Sequence, residues 1–253
     1  MLNIFKNPLL RVLGRKTYHT VVKYREVYIS SLLSPEQTVL GGIFKGMKYP
    51  ERESFGSGLL TKFLGSYEDE LHPVLKSISG NNYSDIIDVG CAEGYYAVGL
   101  ALMFPQAKVH AYDIEKKALE LCKEMALTNH TLDRTLLKSE CNRDELLAFH
   151  SIQKGLIICD CEGYEQALFD KDVAQALQQC DFIIELHDGI IPGIKKQIQN
   201  AFESTHRIEF VRSKLKSAKD YPLMEKLPSE YRQDIYLIER DSYLDWAVVK
   251  SKI

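Results

Sequence analysis

Residues 84–103 read SDIIDVGCAEGYYAVGLALM, and this stretch decides the fold. Residues 84–89, SDIIDV, predict a short buried strand. The glycines after it allow a tight turn, and the apolar residues up to Met103 predict a helix that ends before Pro105. A strand, a glycine turn and a helix in this order are typical of an α/β sheet that binds its ligand beyond the carboxyl ends of the strands.

The same alternation of strands and helices continues along the chain. Further strands are predicted at residues 108–113, 134–139, 155–160, 181–187, 206–212 and 234–239. Helical stretches separate the first five strands, whereas the last two lack a long helix between them and are expected to pair antiparallel. We therefore predict an α/β fold with a seven-stranded, mostly parallel, doubly wound sheet.

The first eighty residues differ from the rest of the chain. Residues 1–30 interleave apolar residues with basic ones, which predicts an amphipathic basic helix, and residues 38–49 predict a short hairpin. The charged residues of the predicted helix are Lys6, Arg11, Arg15, Lys16, Lys23 and Arg25, against the single acid Glu26. We predict an N-terminal helical and hairpin extension over residues 1–80 and a ligand-binding domain over residues 81–253. The helix could pack on its own domain or on a second copy in a homodimer, lie on a membrane surface, or be a cleaved targeting peptide.

Composition excludes several classes of protein. The 253 residues carry a net charge of −3 with a pI of about 6.2, which argues against a dedicated nucleic-acid binder. No apolar run approaches the roughly 20 residues of a membrane-spanning helix. The six cysteines lack CxxC spacing and indicate reduced thiols in a cytoplasmic protein, and a zinc site is disfavoured because structural zinc usually has tight knuckle spacing. The cysteines considered for such a zinc site are Cys141, Cys159, Cys161 and Cys180.

The glycine turn predicts a nucleoside-containing ligand. A dinucleotide fingerprint needs glycine where Ala92 stands, so NAD is disfavoured. The second predicted strand ends at Asp113, whose carboxylate can accept hydrogen bonds from both ribose hydroxyls. The alternative is that Asp88 and Asp113 only cap turns. The residues predicted to bind the ligand are Asp88, Gly90, Cys91, Glu93, Gly94, Asp113 and Ile114.

Four motifs resemble those of a known family. The stretch DVGCAEGYYAVGLA (residues 88–101) resembles motif I of class I S-adenosylmethionine-dependent methyltransferases, and VHAYDIE (109–115) resembles their ribose-binding motif. LIICDCEGYE (156–165) and IIELHD (183–188) are similar to motifs of the FkbM-like methyltransferases, with Cys161 in place of an aliphatic residue and an added Asp188. The resemblance implies a Rossmann-like methyltransferase sheet, S-adenosyl-L-methionine as cofactor and methyl transfer to an oxygen, commonly on a sugar or small natural product.

The ends of the fourth and fifth predicted strands carry candidate catalytic residues. Asp160, Glu162, His187 and Asp188 are expected to converge at one rim of the sheet. His187 could deprotonate an acceptor hydroxyl, or Asp160 with His187 or Asp188 could hold Mg²⁺ or Mn²⁺. A third interpretation is that these polar residues only cap strand ends.

Two nearby residues receive structural interpretations. Glu185 alternates with His187 and is expected to form an ion pair beneath the site. His206 opens the sixth predicted strand and is predicted to be a solvated loop residue rather than part of the rim.

The motifs favour an S-adenosylmethionine-dependent O-methyltransferase acting on a hydroxyl of a sugar, glycan or small metabolite. A nucleic-acid methyltransferase is an alternative, but residues 160–163 lack the proline-containing loop that such enzymes use, and their acids would repel phosphates. A non-catalytic S-adenosylmethionine-binding module is the other alternative; the titratable groups of the predicted acceptor pocket argue against it.

Overall fold

The computed structural model describes residues 15–238 and 243–253, with side chains from residue 24 onward. The chain divides into two compact units: residues up to 69 with residues 214–243, and residues 70–213 with residues 244–253. The sequence predicted one boundary, between residues 80 and 81. The structure instead divides near residue 69 and groups the segment 214–243, which was predicted to belong to the ligand-binding domain, with the N-terminal unit.

The second unit is built on a seven-stranded sheet. Its strands are β1 (Asp85–Val89), β2 (Lys108–Tyr112), β3 (Thr135–Lys138), β4 (Gly155–Cys159), β5 (Asp181–Leu186), β6 (His206–Arg212) and β7 (Asp245–Ser251). The strand order is β3-β2-β1-β4-β5-β7-β6, and β7 runs antiparallel to both of its neighbours while the other pairs are parallel. The predicted seven-stranded, mostly parallel α/β sheet is confirmed, and six predicted strands match to within one residue at each end.

Helices follow the strands as the sequence pattern indicates. In the first unit they are α1 (Arg15–Leu33) and α2 (Leu59–Leu64). In the second unit they are α3 (His72–Ile78), α4 (Tyr95–Met103), α5 (Lys116–Thr128), α6 (Arg143–Leu147), α7 (Glu165–Leu168), α8 (Lys171–Ala176) and α9 (Ile194–Phe202). Among the described residues, none of the helices combines the length and apolar composition that a bilayer crossing requires.

The predicted seventh strand at residues 234–239 was wrong. Residues Asp234–Leu237 form a 3₁₀ turn, and the carboxylate at its start accepts a hydrogen bond from the backbone N–H of Ala218 at 2.7 Å. The seventh strand is Asp245–Ser251, which contains β-branched residues and inserts between β5 and β6. Trp246, predicted to be a packing residue, is fully buried in this strand.

The central strands β4 and β5 are buried along their whole length, as expected for parallel strands covered on both faces. The rings of Phe169, Phe182 and Phe202 pack against one another beside β5, with centroids 4.8–6.0 Å apart. This packing fixes the two strands whose carboxyl ends carry the candidate catalytic residues.

The first unit contains the described part of the predicted N-terminal helix. Helix α1 buries Ile29 and Leu33 and exposes Tyr24 and Tyr28, while the predicted helical residues 1–14 lie outside the described part of the chain. The predicted hairpin over residues 38–49 is present only as a single antiparallel bridge with the turn that it closes.

Candidate active site

The glycine turn lies against the ends of two neighbouring strands. The backbone N–H groups of Gly90 and Cys91 both donate to the carbonyl of Tyr112, at 2.9 Å each. Gly90 has φ +85°, and a Cβ there would lie 1.8 Å from the carbonyl oxygen of Asp160. Only glycine allows this approach, so the turn and the end of β4 are in direct contact.

The turn is also tied to the end of β2. Asp113 accepts hydrogen bonds from the backbone N–H of Ala92 at 2.9 Å and of Glu115 at 2.8 Å, one on each carboxylate oxygen. Ala92 has φ +49°, so it adopts the left-handed backbone that favours glycine. A Cβ on Gly94 would lie 2.8 Å from the sulfur of Cys122, which shows how closely the start of α4 packs on α5.

The remaining predicted ligand-binding residues divide between the interior and the surface. Asp88, Cys91 and Glu93 are buried, whereas Ile114 is 80% exposed beside Asp113. Burial raises the pKa of Asp88 to about 8, although a hydrogen bond from the backbone of Ala97 in α4 opposes this rise. Asp88 therefore contacts the first turns of α4 inside the protein, while Asp113 and Ile114 lie where a ligand can reach them.

An imidazole surrounded by carboxylates occupies the end of β5. Nδ1 of His187 lies 2.8 Å from Oε1 of Glu165. On the other side of the ring, Nε2 lies 3.6 Å from a carboxylate oxygen of each of Asp160, Glu162 and Glu185. His187 and Glu165 are buried, and Glu162 is largely exposed. The structure thus brings together Asp160, Glu162 and His187, and places Glu185 where the sequence suggested an ion pair.

The electrostatics of this carboxylate–imidazole cluster favour a charged pair. Burial lowers the pKa of His187, but the hydrogen bond and charge of Glu165 and the charges of Asp160 and Glu162 raise it more, so the net shift is upward. Burial raises the pKa of Glu165, but the hydrogen bond and charge of His187 outweigh it and lower the net pKa. These opposite shifts mean that the surrounding carboxylates stabilise the protonated imidazole relative to the neutral one.

Glu165 was not among the predicted site residues, and the geometry does not support the metal-binding role predicted for Asp188. Oδ1 of Asp188 accepts backbone hydrogen bonds from Gly193 at 3.0 Å and Lys195 at 3.5 Å, at the start of α9. Of the predicted metal ligands, Asp160 and His187 lie together, whereas Asp188 is not part of the group of ligand atoms that they form with Glu165. Glu165 could have been found from its place at the end of the motif LIICDCEGYE (156–165).

Comparisons with known proteins agree with the fold. A family model described as "Methyltransferase domain" matches residues 81–186. A release factor glutamine methyltransferase from Synechocystis is 42% identical over 59 residues, which cover 23% of this chain and only 20% of that protein.

Two solved structures are similar to this chain at low identity. One is a precorrin-6y C5,15-methyltransferase from Geobacter metallireducens, with 8% identity, a TM-score of 0.49 and coverage of 73% of this chain and 88% of that chain. The other is an rRNA methylase from Streptococcus thermophilus, with 10% identity, a TM-score of 0.48 and coverage of 72% and 96%. Both similarities are too weak to transfer a substrate.

The family match falls on the part of the chain that carries the glycine turn, Asp113 and strands β1 to β5. Residues 81–186 are therefore similar to the methyltransferase-domain family over the segment that carries these features.

Proposed function

We propose that the chain is an S-adenosylmethionine-dependent O-methyltransferase of the FkbM-like type, acting on a hydroxyl of a sugar, glycan or small metabolite. The observation that carries this proposal is the contact between the cofactor turn and the carboxylate–imidazole cluster. Asp160 belongs to both, because its carbonyl oxygen lies against Gly90 and its carboxylate lies 3.6 Å from Nε2 of His187.

The turn has the shape that the cofactor requires. Gly90 lets the turn lie directly against the end of β4, and the start of α4 offers backbone N–H groups to a carboxylate. Asp113 retains lone pairs for ribose hydroxyls, and Ile114 offers an exposed apolar surface to the base. When bound, the cofactor supplies a methyl group on a sulfonium, so that the acceptor oxygen forms a new bond to carbon while the electrons of the broken carbon–sulfur bond remain on sulfur.

The cluster handles the proton of the acceptor. His187 in its neutral form takes this proton at Nε2, because Nδ1 is occupied by Glu165. Glu165 fixes the orientation of the ring, and the carboxylates of Asp160, Glu162 and Glu185 stabilise the imidazolium that forms. Alignment of the acceptor supplies the rest of the acceleration, because methyl transfer is an in-line displacement.

A divalent metal is the alternative route to an acceptor alkoxide. Ligand atoms of Asp160, Glu165 and His187 lie within 4.8 Å of one another and could hold Mg²⁺ or Mn²⁺, which would lower the pKa of the acceptor hydroxyl. We favour proton transfer to His187 over a metal, because both ring nitrogens face carboxylates that stabilise the protonated ring. Under this mechanism a chelator leaves turnover unchanged, whereas loss of turnover that only Mg²⁺ or Mn²⁺ restores would replace the base with a metal.

The charge of the cluster favours an acceptor that is not a polyanion. Four carboxylates surround one imidazole, so a phosphate backbone next to the site would be repelled. This argues against a nucleic-acid acceptor and for an uncharged hydroxyl.

Thermal unfolding with S-adenosylhomocysteine, and with NAD as the matched control, tests the proposed cofactor. At a hundred times Kd, binding adds about 2.7 kcal/mol, which raises Tm by roughly 5–10 °C. Asp113→Ala is expected to reduce this shift, while Asp133→Ala, at an exposed position, leaves it unchanged. A shift with NAD alone would contradict the proposal and indicate an oxidoreductase.

A further inference from the structure

Two cysteines at the end of β4 have no role in the proposed reaction. Cys159 and Cys161 are two residues apart in extended chain, and their sulfur atoms lie 3.5 Å apart. Cys159 is buried and Cys161 is partly exposed, so the pair can be reached from outside. Cys161 stands where the FkbM-like motif has an aliphatic residue, so this pair is a feature of the present chain.

A carboxylate completes this pair of thiols. Ligand atoms of Cys159, Cys161 and Glu165 lie within 4.8 Å of one another. Glu165 is fully buried, and its Oε2 makes no hydrogen bond within the part of the chain that the structure describes. A buried carboxylate oxygen without a partner costs free energy, which a bound cation would remove.

The geometry points to a binding site for a thiophilic divalent cation such as zinc, formed by Cys159, Cys161 and Glu165. Zinc–sulfur bonds of about 2.3 Å at a tetrahedral angle separate two sulfurs by about 3.8 Å, close to the 3.5 Å observed. Binding releases the two thiol protons and leaves a fourth position for water. Mg²⁺ prefers oxygen ligands and does not compete for the thiols.

This site differs from the four-cysteine site that the sequence analysis disfavoured. Cys180 lies at the opposite end of the sheet, because its sulfur is 3.2 Å from a Cβ built on Gly155 at the start of β4. Cys159 ends the same strand. The two cysteines therefore cannot share an ion.

Occupation of the site changes the carboxylate–imidazole cluster. Glu165 holds His187 through Oε1, and a cation bound to the same carboxylate withdraws charge from it and weakens that hydrogen bond. The consequence rests on the proposed function: zinc inhibits methyl transfer reversibly, and removal of zinc restores it.

Cadmium tests the site directly, because thiolate-to-cadmium charge transfer gives an ultraviolet band that does not depend on catalysis. The native chain, kept reduced by a phosphine, is titrated with cadmium alone and is expected to show a band that saturates at one equivalent. Zinc should displace it and Mg²⁺ should not. Cys161→Ser should abolish the band, whereas Cys122→Ser should retain it although it removes the other hydrogen-bonded thiol pair, Cys91 with Cys122.

Glu165→Gln provides a second variant with little change in volume. Loss of the carboxylate should weaken cadmium binding about tenfold or more, and unchanged affinity would exclude Glu165 as a ligand. Absence of the band in the native chain, or its survival in Cys161→Ser, would overturn the site. A band at one equivalent together with zinc-insensitive turnover would support the site and overturn its link to His187.

Discussion

His187 and His206 lie at opposite ends of the strands of one sheet and in different chemical environments. His187 follows the carboxyl end of β5, whereas His206 opens β6, which runs parallel to β5, and therefore lies at the amino edge. Both are buried. His187 faces four carboxylates, while Nε2 of His206 lies 3.1 Å from the carbonyl oxygen of Cys180 and Nδ1 lies 2.7 Å from Oγ1 of Thr205.

The difference shows that the partners of a buried histidine decide its charge. Burial lowers the pKa of His206, and its neutral hydrogen-bond partners do not offset this effect. Its ring packs edge-on against Phe182 and Phe202, with centroids 5.4 and 5.2 Å away. His206 is thus a core residue, and the sequence-based prediction of a solvated loop histidine was wrong.

Substitution of each histidine by a residue that does not titrate should separate effects on turnover from effects on the free energy of unfolding. His187→Asn keeps a donor toward Glu165 but cannot take a proton, so turnover should fall roughly 10²–10⁴-fold with S-adenosylhomocysteine affinity retained. His206→Ala leaves a cavity among aromatic rings and should lower the free energy of unfolding by about 2–4 kcal/mol. Steady-state kinetics, ligand titration and urea unfolding measure these effects.

The distinction between the two histidines would be contradicted if both variants changed turnover and stability in the same way. Retained turnover in His187→Asn would remove this residue from the mechanism. A large loss of turnover in folded His206→Ala would mean that the amino edge of the sheet also determines activity.

The sequence predicted the sheet well because the fold depends on local patterns. The apolar runs of β4 and β5 and the glycine turn can be recognised from the sequence without any tertiary contact. The seventh strand was misassigned because residues 234–239 and 245–251 have similar apolar content, and only contacts distant in sequence decide between them. The carboxylate of Asp234 fixes one segment as a turn, and pairing with β5 and β6 fixes the other as a strand.

The candidate site was predicted in part. Strand ends that share an edge explain why Asp160, Glu162 and His187 could be expected together. Glu165 was missed because its role depends on the short helix α7 turning its carboxylate back toward β5. Asp188 was expected at the site because it follows β5. A side chain in that position can equally accept a hydrogen bond from the start of the next helix, and Asp188 does so.

Removal of the Glu165 charge should make His187 more like His206. Glu165→Gln keeps the volume but removes the charge that raises the pKa of His187, so the acid limb of the kcat profile should move to lower pH. We also expect kcat to fall about tenfold to a hundredfold, less than in His187→Asn, because the ring is held less precisely. Glu162→Gln, at an exposed carboxylate, is the matched control and should shift the limb less, in the same direction. An unchanged limb, or one displaced to higher pH, would show that Glu165 does not act through His187.

The smallest expected effect is the contribution of His206 to the pH dependence of stability. Because the folded pKa of His206 is lowered, the unfolded chain takes up a proton at this position before the folded chain does. The free energy of unfolding from this group is therefore fully present above the ordinary histidine pKa of about 6.5 and decreases as pH falls toward the folded value, by at most about 1.4 kcal/mol per pH unit. His187 contributes with the opposite sign, because its raised pKa stabilises the fold at low pH and this gain is lost as pH rises through the folded value.

Urea unfolding at several pH values between 5.5 and 7.5 should show a shallower acid-side loss of stability in His206→Phe than in the native chain, since phenylalanine fills the space without titrating. Parallel curves for the two proteins would mean that His206 gains its proton equally easily in both states, and the comparison of the two histidines would then rest on their contacts alone.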